Sequence, residues 1–355
     1  MIQTRESFFS FAALTDAGLV RQKNEDRFAI TALRSDAKPS IPGLLAVLCD
    51  GVGGESAGEI AAESAVDSIT HFVLSNPGED DPLKVLPSAV LKANEAILDQ
   101  VNEHPERTGM AATAACVWIR GRKLNIATLG DSRIYLIREN RITQLSTDHT
   151  WVQEALETGA ITEDEKENHP NAHVIRRFLG SDFPPDTDLH INYPDGRSEN
   201  QLELHPWDIL FMCSDGCSDL VNPEEIRNGF SGQKLAKSLD EIKKLAFERG
   251  GRDNITMIAI QIPNKVPGVL PRKRVWRWIL IGLAVLLAIG AGLYFGWWFQ
   301  NLNREGSLAA FTPEQISSTL APTVSTPTPA ITPTPSVTPV ASLAPGSFVV
   351  GTECG

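Results

Sequence analysis

Leu45-Ala46-Val47-Leu48-Cys49-Asp50-Gly51-Val52-Gly53-Gly54 is an apolar run that ends abruptly in a carboxylate and a cluster of glycines. The apolar half predicts a buried strand, and the glycines leave the backbone after it without side chains. A carboxylate beside a bare carbonyl offers a place to hold a hard cation, which prefers oxygen ligands. A second apolar run, Ile209-Leu210-Phe211-Met212-Cys213-Ser214-Asp215-Gly216, closes on Asp-Gly in a similar way. The two runs form one site only if their ends meet.

The segment from Phe8 to about Ile262 has the pattern of one mixed domain. Two hairpins, at Gly121-Arg122 and around Glu139-Asn140, predict that much of the sheet is antiparallel. Amphipathic helices are predicted over 59–74, 83–101 and 233–248. Strand runs interrupted by long helices predict an α+β fold with sheets in the middle and helices outside. Strands are predicted over 28–33, 44–48, 114–119, 124–129, 134–137, 209–213 and 256–262.

The net charge, the cysteines and the positions of the carboxylates indicate which classes of function and metal site the sequence favours. The net charge is −12, from 44 acidic and 32 basic residues, which argues against a general nucleic-acid binder. The five cysteines show no CxxC spacing, and buried reduced thiols are the expected state. Carboxylates recur at strand ends without Cys or His at zinc spacing, which favours an all-oxygen Mg²⁺ or Mn²⁺ site. Any one of them alone is more often a turn or cap residue. They are Glu25, Asp26, Asp50, Asp131, Asp215 and Asp253.

The character of the chain changes after Pro263. Residues 264–275 are a basic juxtamembrane linker with Arg272, Lys273 and Arg274, and 276–299 is long and apolar enough for a transmembrane helix. The positive-inside rule then places residues 1–263 in the cytosol, where the absence of a recognisable signal peptide also places them. Residues 300–355 form a Thr/Pro-rich tail that we expect to be extended and extracytoplasmic. The sequence therefore predicts a single-pass membrane protein.

Seven short motifs follow one another in an order that resembles the metal-dependent type 2C (PPM) Ser/Thr protein phosphatases, most of all the bacterial branch. The resemblance covers about residues 3–262. It implies a central sandwich of two antiparallel β-sheets flanked by helices, α-β-β-α. The motifs are Thr15-Asp16-x-Gly18-x-Val20-Arg21-x-x-Asn24-Glu25-Asp26, Asp50-Gly51-x-Gly53-Gly54, Gly109-Met110-Ala111-Ala112-Thr113, Gly130-Asp131-Ser132-Arg133, Asp148-His149, Ser214-Asp215-Gly216 and Gly251-Arg252-Asp253-Asn254.

The resemblance assigns a role to each candidate residue. Asp50 resembles the carboxylate that bridges two metals, and the Gly51 carbonyl resembles a ligand of the second. Asp215 and Asp253 match ligands of the first metal, and Glu25 and Asp26 match residues that hold metal-bound waters. Asp131 matches a carboxylate of a third metal site, shared with Asp215. Arg21 matches the phosphate-binding arginine, whose planar fork suits phosphoryl oxygens. The implied cofactors are two to three Mg²⁺ or Mn²⁺ ions, which activate a water for in-line attack on phosphorus.

The implied function is hydrolysis of phosphoserine and phosphothreonine in proteins, opposing a membrane Ser/Thr kinase. Val52 stands where some eukaryotic members have histidine, so a histidine general acid is excluded there. His149 is a tempting substitute, but a structural role in its turn is the stronger interpretation. Residues 147–179 correspond to the flap of the family. Two alternatives stay open: a catalytically idle sensor or scaffold of the same fold, and a phosphatase for an anti-sigma-factor antagonist or a small phosphate ester.

Overall fold

The computed structural model describes residues 1–36, 38–53, 57–76, 81–166, 169–193, 195–267 and 275–305, with side chains in the last range from 282 to 301. The chain divides into two compact units, Met1–Lys273 and Arg274–Gly355. The strands in the first unit are β1 Ile2–Gln3, β2 Ser10–Asp16, β3 Arg27–Arg34, β4 Pro42–Cys49, β5 Gly51–Val52, β6 Ala111–Ala112, β7 Ala114–Arg120, β8 Lys123–Leu129, β9 Arg133–Arg138, β10 Arg141–Gln144, β11 Ile191–Asn192, β12 Ser198–Glu199, β13 Leu202–Glu203, β14 Ile209–Cys213 and β15 Ile255–Gln261.

The helices lie between and after these strands. They are α1 Ala57–Ser75, α2 Pro82–Glu103, α3 Trp151–Glu157, α4 Glu163–Lys166, α5 Asp215–Ser218, α6 Pro223–Gly229, α7 Leu235–Glu248 and α8 Val275–Glu305, with a short 3-10 turn at Pro105–Arg107.

Two antiparallel sheets form the centre of the first unit. One has the strand order β1-β3-β4-β7-β8-β13 and the other β10-β9-β14-β15-β2. Three apolar layers hold the structure together. One packs α1 and α2 on the first sheet, the second fills the space between the sheets, and the third packs α5, α6 and α7 on the second sheet. Every residue of β4 is buried because its two faces belong to two of these layers. The predicted α-β-β-α sandwich is confirmed.

Local turn chemistry sets the strand pairing where it was predicted. Gly121 has φ +64° in the two-residue loop between β7 and β8, and Glu139 and Asn140 have φ +49° and +60° between β9 and β10. Positive φ at both central residues, as at Glu139 and Asn140, is the backbone of a type I′ hairpin, whose twist matches that of the strands. Both predicted hairpins are confirmed. Strand β2 was not predicted from the sequence; it pairs with β15 over seven residues at the edge of the second sheet.

The flap, residues 147–179, lies between β10 and β11 and contains α3 and α4. Its two ends are joined at the base, where the Arg176 N–H donates to the His149 carbonyl at 2.8 Å and the Trp151 N–H donates to the Val174 carbonyl at 2.8 Å. The Trp151 ring stacks on His169 with ring centroids 4.6 Å apart. The described flap residues are therefore joined at the base by backbone hydrogen bonds, and His173 Nδ1 also lies 3.2 Å from Asp219 Oδ2.

The second unit contains α8, which is 31 residues long. Within the described part of the chain, its segment Gly282–Asn301 is long and apolar enough to cross a membrane. Side chains at its C-terminal end include Trp297 and Trp298, residues that favour a membrane interface. The basic linker residues Arg272, Lys273 and Arg274 and the Thr/Pro-rich tail from 306 onward lie outside the described residues.

Candidate metal centre

The predicted carboxylates come from both sheets. Asp50 follows β4 in the first sheet, and Asp215 and Asp253 follow β14 and precede β15 in the second. The Asp50 and Asp215 side chains lie within hydrogen-bonding reach of each other, and the charge of Asp215 helps to raise the pKa of Asp50. The ends of the two apolar runs meet. Glu25 and Asp26, just before β3, lie beside them.

Asn254 and Ser214 fix these segments together. The Asn254 Oδ1 accepts the Glu25 N–H at 2.8 Å, while its Nδ2 donates to the carbonyls of Ala17 at 3.0 Å and Lys23 at 2.8 Å. The Ser214 hydroxyl donates to Asp26 Oδ2 at 2.8 Å. Each bond spans more than 180 residues of sequence, so the long-range fold alone brings these groups together. Neither side chain was predicted to have this role from the sequence, although both belong to the motifs given above.

Thr113 anchors Asp50 and the loop that carries Asp131. Its Oγ1 accepts the Asp50 N–H at 2.9 Å, and its own N–H donates to the Asp50 carbonyl at 2.8 Å. The same hydroxyl contacts Ser132 Oγ at 2.8 Å, one residue after Asp131. Thr113 is buried, so neither bond competes with solvent. The structure thus brings Asp131 to the same neighbourhood as Asp50.

Burial, with repulsion from neighbouring carboxylates, raises the pKa of five carboxyl groups here: Glu25, Asp26, Asp50, Asp131 and Asp215. For Asp50, burial is the largest cause, followed by the charges of Asp26 and Asp215, and together they hold its pKa well above the usual range. The pKa of Asp215 is raised in the same way, by burial and then by Asp131. Burial also raises the pKa of Asp26 and of Asp131 to about 6. A divalent cation among these groups would relieve that repulsion.

Two further observations show that the residues fit Mg²⁺ or Mn²⁺. One carboxylate oxygen each of Asp26, Asp131 and Asp215 is buried without a hydrogen-bond partner. A side chain on Gly51 would stand 2.0 Å from the Gly58 carbonyl and 2.8 Å from that of Glu25, so only glycine fits this cradle. All available donors are oxygens, the ligand type of these two ions. Among the described residues, no three Asp, Glu, His or Cys side chains already surround one point closely enough to hold an ion.

Arg21 lies at the edge of this cluster. Its guanidinium donates to Asp253 Oδ2 at 2.7 Å, and 52% of its side chain is exposed. The hydrogen bond to Asp253 is the main reason why the pKa of Arg21 is raised. Glycine at position 18 allows the Arg21 loop to approach Asp253 closely. A Cβ added at Gly18 would lie 2.2 Å from the Asp253 carbonyl oxygen, and the φ of Gly18 is +79°. Arg21 is therefore both tethered to the cluster and open to solvent.

A cavity of about 940 Å³ extends from this cluster to the flap. Asp131 and Asp215 line one side, and flap residues such as Gln153 and Glu157 line another. Asp219, which the sequence analysis did not single out, also lines it, and its charge raises the pKa of both Asp131 and Asp215. Its helical spacing of four from Asp215 was the available signal. The cavity gives a ligand that is larger than an ion access to the centre.

Comparisons with known proteins agree with this geometry. The sequence profile of the Protein phosphatase 2C family matches residues 13–158. The chain is 33% identical over 253 residues to the serine/threonine protein phosphatase PstP of Mycobacterium tuberculosis, which covers 71% of this chain and 45% of that protein. It is 32% identical over 252 residues to a putative protein phosphatase 2C-type of Streptococcus pyogenes, covering 69% of this chain and 94% of the relative.

Among solved structures, the PstP catalytic domain in complex with two manganese ions is similar, with a TM-score of 0.59 and 32% identity over 72% of this chain and 98% of that one. The chain thus spans less than half of the full PstP protein but nearly all of its catalytic domain and of the streptococcal relative. The order of the motifs, the two-sheet sandwich and these similarities converge. The chain belongs to the protein phosphatase 2C family.

Proposed function

We propose that residues 1–263 form a cytosolic, metal-dependent phosphatase domain that hydrolyses phosphoserine and phosphothreonine in proteins. One observation carries the proposal: Asp26, Asp131 and Asp215 each leave a buried carboxylate oxygen without a partner, in a cluster that borders Arg21 and an open cavity. Buried acceptors without partners are costly unless a cation satisfies them. The names of the relatives, Ser/Thr protein phosphatases, support the same activity.

Each ligand assignment is part of this proposal. Asp50, the Gly51 carbonyl, Asp215 and Asp253 would hold two ions, and Asp131 would hold a third together with Asp215. Glu25 and Asp26 would hold metal-bound waters. Bound Mg²⁺ or Mn²⁺ supplies the Lewis acid that neutralises phosphoryl oxygens and activates the attacking water. The PstP catalytic domain was solved in complex with two manganese ions, which supports manganese as a cofactor of the related fold.

The chain's own residues supply orientation. Arg21 exchanges its bond to Asp253 for phosphoryl oxygens, which its guanidinium can bind in parallel pairs. Val52, beside the centre and 47% exposed, has no proton to give, so the leaving alkoxide takes its proton from elsewhere. His149 is buried and bonded to backbone, which also removes it as a direct proton donor.

Replacing Arg21 should affect substrate binding more than metal binding. We expect Arg21→Ala to raise KM for a phosphopeptide about 10- to 100-fold, which corresponds to the loss of a charge-assisted hydrogen bond. Arg21→Lys keeps the charge without the planar fork and should fall between wild type and Arg21→Ala. Steady-state kinetics at saturating Mn²⁺ measure this effect, and a parallel Mn²⁺ titration confirms that the metals still bind. An unchanged KM in Arg21→Ala would remove Arg21 from the phosphate site.

The function itself is tested on the purified full chain. We expect hydrolysis of phosphoserine and phosphothreonine peptides that requires Mn²⁺ or Mg²⁺ and stops on chelation. A panel of phosphoproteins, an anti-sigma-factor antagonist and a small phosphate ester should show higher kcat/KM for the protein substrates. No hydrolysis of any substrate, with Mn²⁺ bound, would favour the idle scaffold instead. Preference for the small ester would change the substrate class but keep the chemistry.

The membrane arrangement belongs to the same proposal. We place α8 across the membrane, the phosphatase domain in the cytoplasm and residues 300–355 outside. The apolar segment Gly282–Asn301 supports a span, and the basic residues before it support the orientation. A phosphorylated membrane Ser/Thr kinase is then a partner within reach. Protease accessibility of a C-terminal tag on intact cells tests the orientation, because only an outside tag is cleaved.

A further inference from the structure

The polypeptide leaves the phosphatase domain at the end of the sandwich opposite the metal centre. Asp50 and Asp215 directly follow β4 and β14, whereas Gln261, the last residue of β15, pairs with Ile209, the first residue of β14. Strand β4 has eight residues, so the two ends of the sheet are about 26 Å apart. We call the far end the exit end and define it as residues 34–36, 38–42, 120–123, 138–141, 203–208 and 262–267.

One bulky aromatic side chain projects from the exit end. Trp207 is 63% exposed, and its φ of +72° is a strained conformation for a bulky side chain. Its turn is nevertheless fixed, because the Trp207 N–H donates to the Ile262 carbonyl at 2.9 Å and the buried Asp208 carboxylate accepts the His205 N–H at 2.6 Å. The fold therefore holds a large apolar ring in solvent at a cost in backbone energy. Strain that is retained in this way points to a use for the conformation.

Positive charge exceeds negative charge at the exit end. It carries eight basic and four acidic residues, in a chain whose net charge is −12. Two of the acids have basic neighbours, since Asp208 lies 2.6 Å from Arg138 Nη2 and Glu203 is opposite Lys123 across β13 and β8. The opposite end holds the carboxylates of the metal centre, so an anionic surface attracts the exit end and repels the other. The basic residues are Arg34, Lys38, Arg120, Arg122, Lys123, Arg138, Arg141 and Lys265, and the acidic ones are Asp36, Glu139, Glu203 and Asp208.

Two of these basic residues lie on segments that adjoin Trp207. Lys265 is exposed on the segment that accepts the Trp207 N–H. The Arg122 Nη2 donates to the Asn264 carbonyl at 2.7 Å, a neutral acceptor that leaves the positive charge in place. The Arg122 carbonyl in turn accepts the Leu204 N–H at 2.7 Å, which joins the hairpin of the first sheet to the Trp207 turn. The aromatic ring and the positive charges are thus held by one hydrogen-bonded group of segments.

We infer that the exit end is a docking surface for anionic lipid headgroups, with Trp207 at the level of the headgroups and the basic side chains against their phosphates. Tryptophan favours this interface, and Lys and Arg are attracted to the negative charge of the cytoplasmic leaflet. The inference rests on the proposed membrane arrangement. The predicted transmembrane segment starts at Trp276, and the eight residues 268–275 can reach at most about 30 Å, which keeps the exit end near the bilayer.

Docking would set the height at which the enzyme works. The metal centre lies at the other end of the sheets, about 26 Å from the exit end. A docked domain therefore turns its centre away from the membrane and towards phosphorylated segments that extend well into the cytoplasm. The same orientation keeps the acidic centre away from the anionic lipids.

The test uses the full chain in nanodiscs with one chain per disc, which leaves no second copy for the surface to bind. The bilayer is phosphatidylcholine alone or mixed with phosphatidylglycerol, and it contains a lipid with a nitroxide on the headgroup. A fluorophore is attached at Ser40→Cys on the exit end or at Glu106→Cys near the metal centre, in a Cys354→Ser background, since the described cysteines are buried. Phosphatidylglycerol should increase quenching of the Ser40 label strongly and leave the Glu106 label nearly unquenched.

Two substitutions should release the domain from the anionic bilayer. Lys265→Glu exchanges a positive for a negative charge and should lower the ratio of docked to undocked domain about 30-fold, or roughly fivefold for each unit of charge. Trp207→Asn removes the ring, and asparagine tolerates positive φ, so the turn should still fold. It should lower the same ratio about 10-fold, because the apolar ring no longer leaves water. Time-resolved quenching of the Ser40 label measures the ratio.

The matched controls make the same changes on other surfaces. Lys92→Glu reverses an exposed charge on α2, and Phe183→Asn removes an aromatic ring that is 78% exposed. Both residues lie outside the exit end, so each control should keep the ratio within about 2-fold of wild type. Melting temperatures of all four variants show whether each is folded. Trp207→Asn should melt no lower than wild type because it relieves the strain at this position.

Several results would overturn the inference. These are equal quenching of the Ser40 label on neutral and anionic bilayers, quenching that neither Lys265→Glu nor Trp207→Asn reduces, an equal release in the controls, or stronger quenching of the Glu106 label. A chain that enters the bilayer but does not dock would refute this inference and leave the membrane arrangement intact. A chain that does not enter the bilayer would refute both. Neither result depends on phosphatase activity, which the phosphopeptide assay tests separately.

Discussion

Asp50→Asn should make the metal-free protein more stable and the enzyme nearly inactive. The carboxylate of Asp50 lies among other buried carboxylates, so removing its charge relieves repulsion, and we expect a rise in melting temperature of about 2–4 °C, the equivalent of about 1 kcal/mol. The same change removes the proposed bridge between two ions. Hydrolysis of a phosphopeptide should fall by about 10²- to 10³-fold, as for loss of one electrostatic group at a reacting centre.

Differential scanning calorimetry with and without Mn²⁺, together with kinetics, checks both halves of this prediction. Asp208→Asn is the control, since Asp208 is buried, accepts two hydrogen bonds from Arg138 and lies outside the cluster. It should destabilise the protein by about 3 kcal/mol because Arg138 loses its partner, and leave the Mn²⁺ response intact. Full activity in Asp50→Asn, or a fall in its metal-free melting temperature, would contradict the assignment.

Gly51→Ala should abolish Mn²⁺ binding at the centre through a single methyl group. The added carbon would lie 2.0 Å from the Gly58 carbonyl oxygen and 2.8 Å from the Glu25 carbonyl oxygen. Both are backbone atoms, so no side-chain rotation can relieve the clash. Either β5 or the start of α1 must move, at a cost of about 1–3 kcal/mol or more. The carbonyl of residue 51, proposed as a ligand, moves with it.

Gly232→Ala is the control for Gly51→Ala. It distinguishes steric crowding by the added methyl group from the backbone strain of replacing a glycine. Gly232 has φ +74° but no heavy atom within 4 Å of the added carbon, so the cost is backbone strain of about 1–2 kcal/mol alone. Both variants should lose stability, and only Gly51→Ala should lose the Mn²⁺-induced rise in melting temperature. Normal Mn²⁺ binding by Gly51→Ala would show that the Gly51 carbonyl is not a ligand.

The buried strands and the tight turns could be predicted because their signals are local. The apolar runs of β4 and β14 are continuous since both are buried on two faces, and the Gly121 and Asn140 hairpins require residues that tolerate positive φ. β2 was missed for the opposite reason. It is a half-exposed edge strand without a clear alternation of apolar and polar residues, and its pairing with β15 makes it a strand.

The sequence by itself determined the types of group at the centre: two Asp-Gly strand ends, further carboxylates and no zinc-type spacing. It also determined, through motif order, the family to which the chain belongs. Only the tertiary structure decided that Asp50 and Asp215 face each other, because they follow strands in different sheets. It alone revealed the ties made by Asn254, Ser214 and His149. Those contacts form between segments that are far apart in the chain. The local sequence around each residue does not specify which distant segment packs against it.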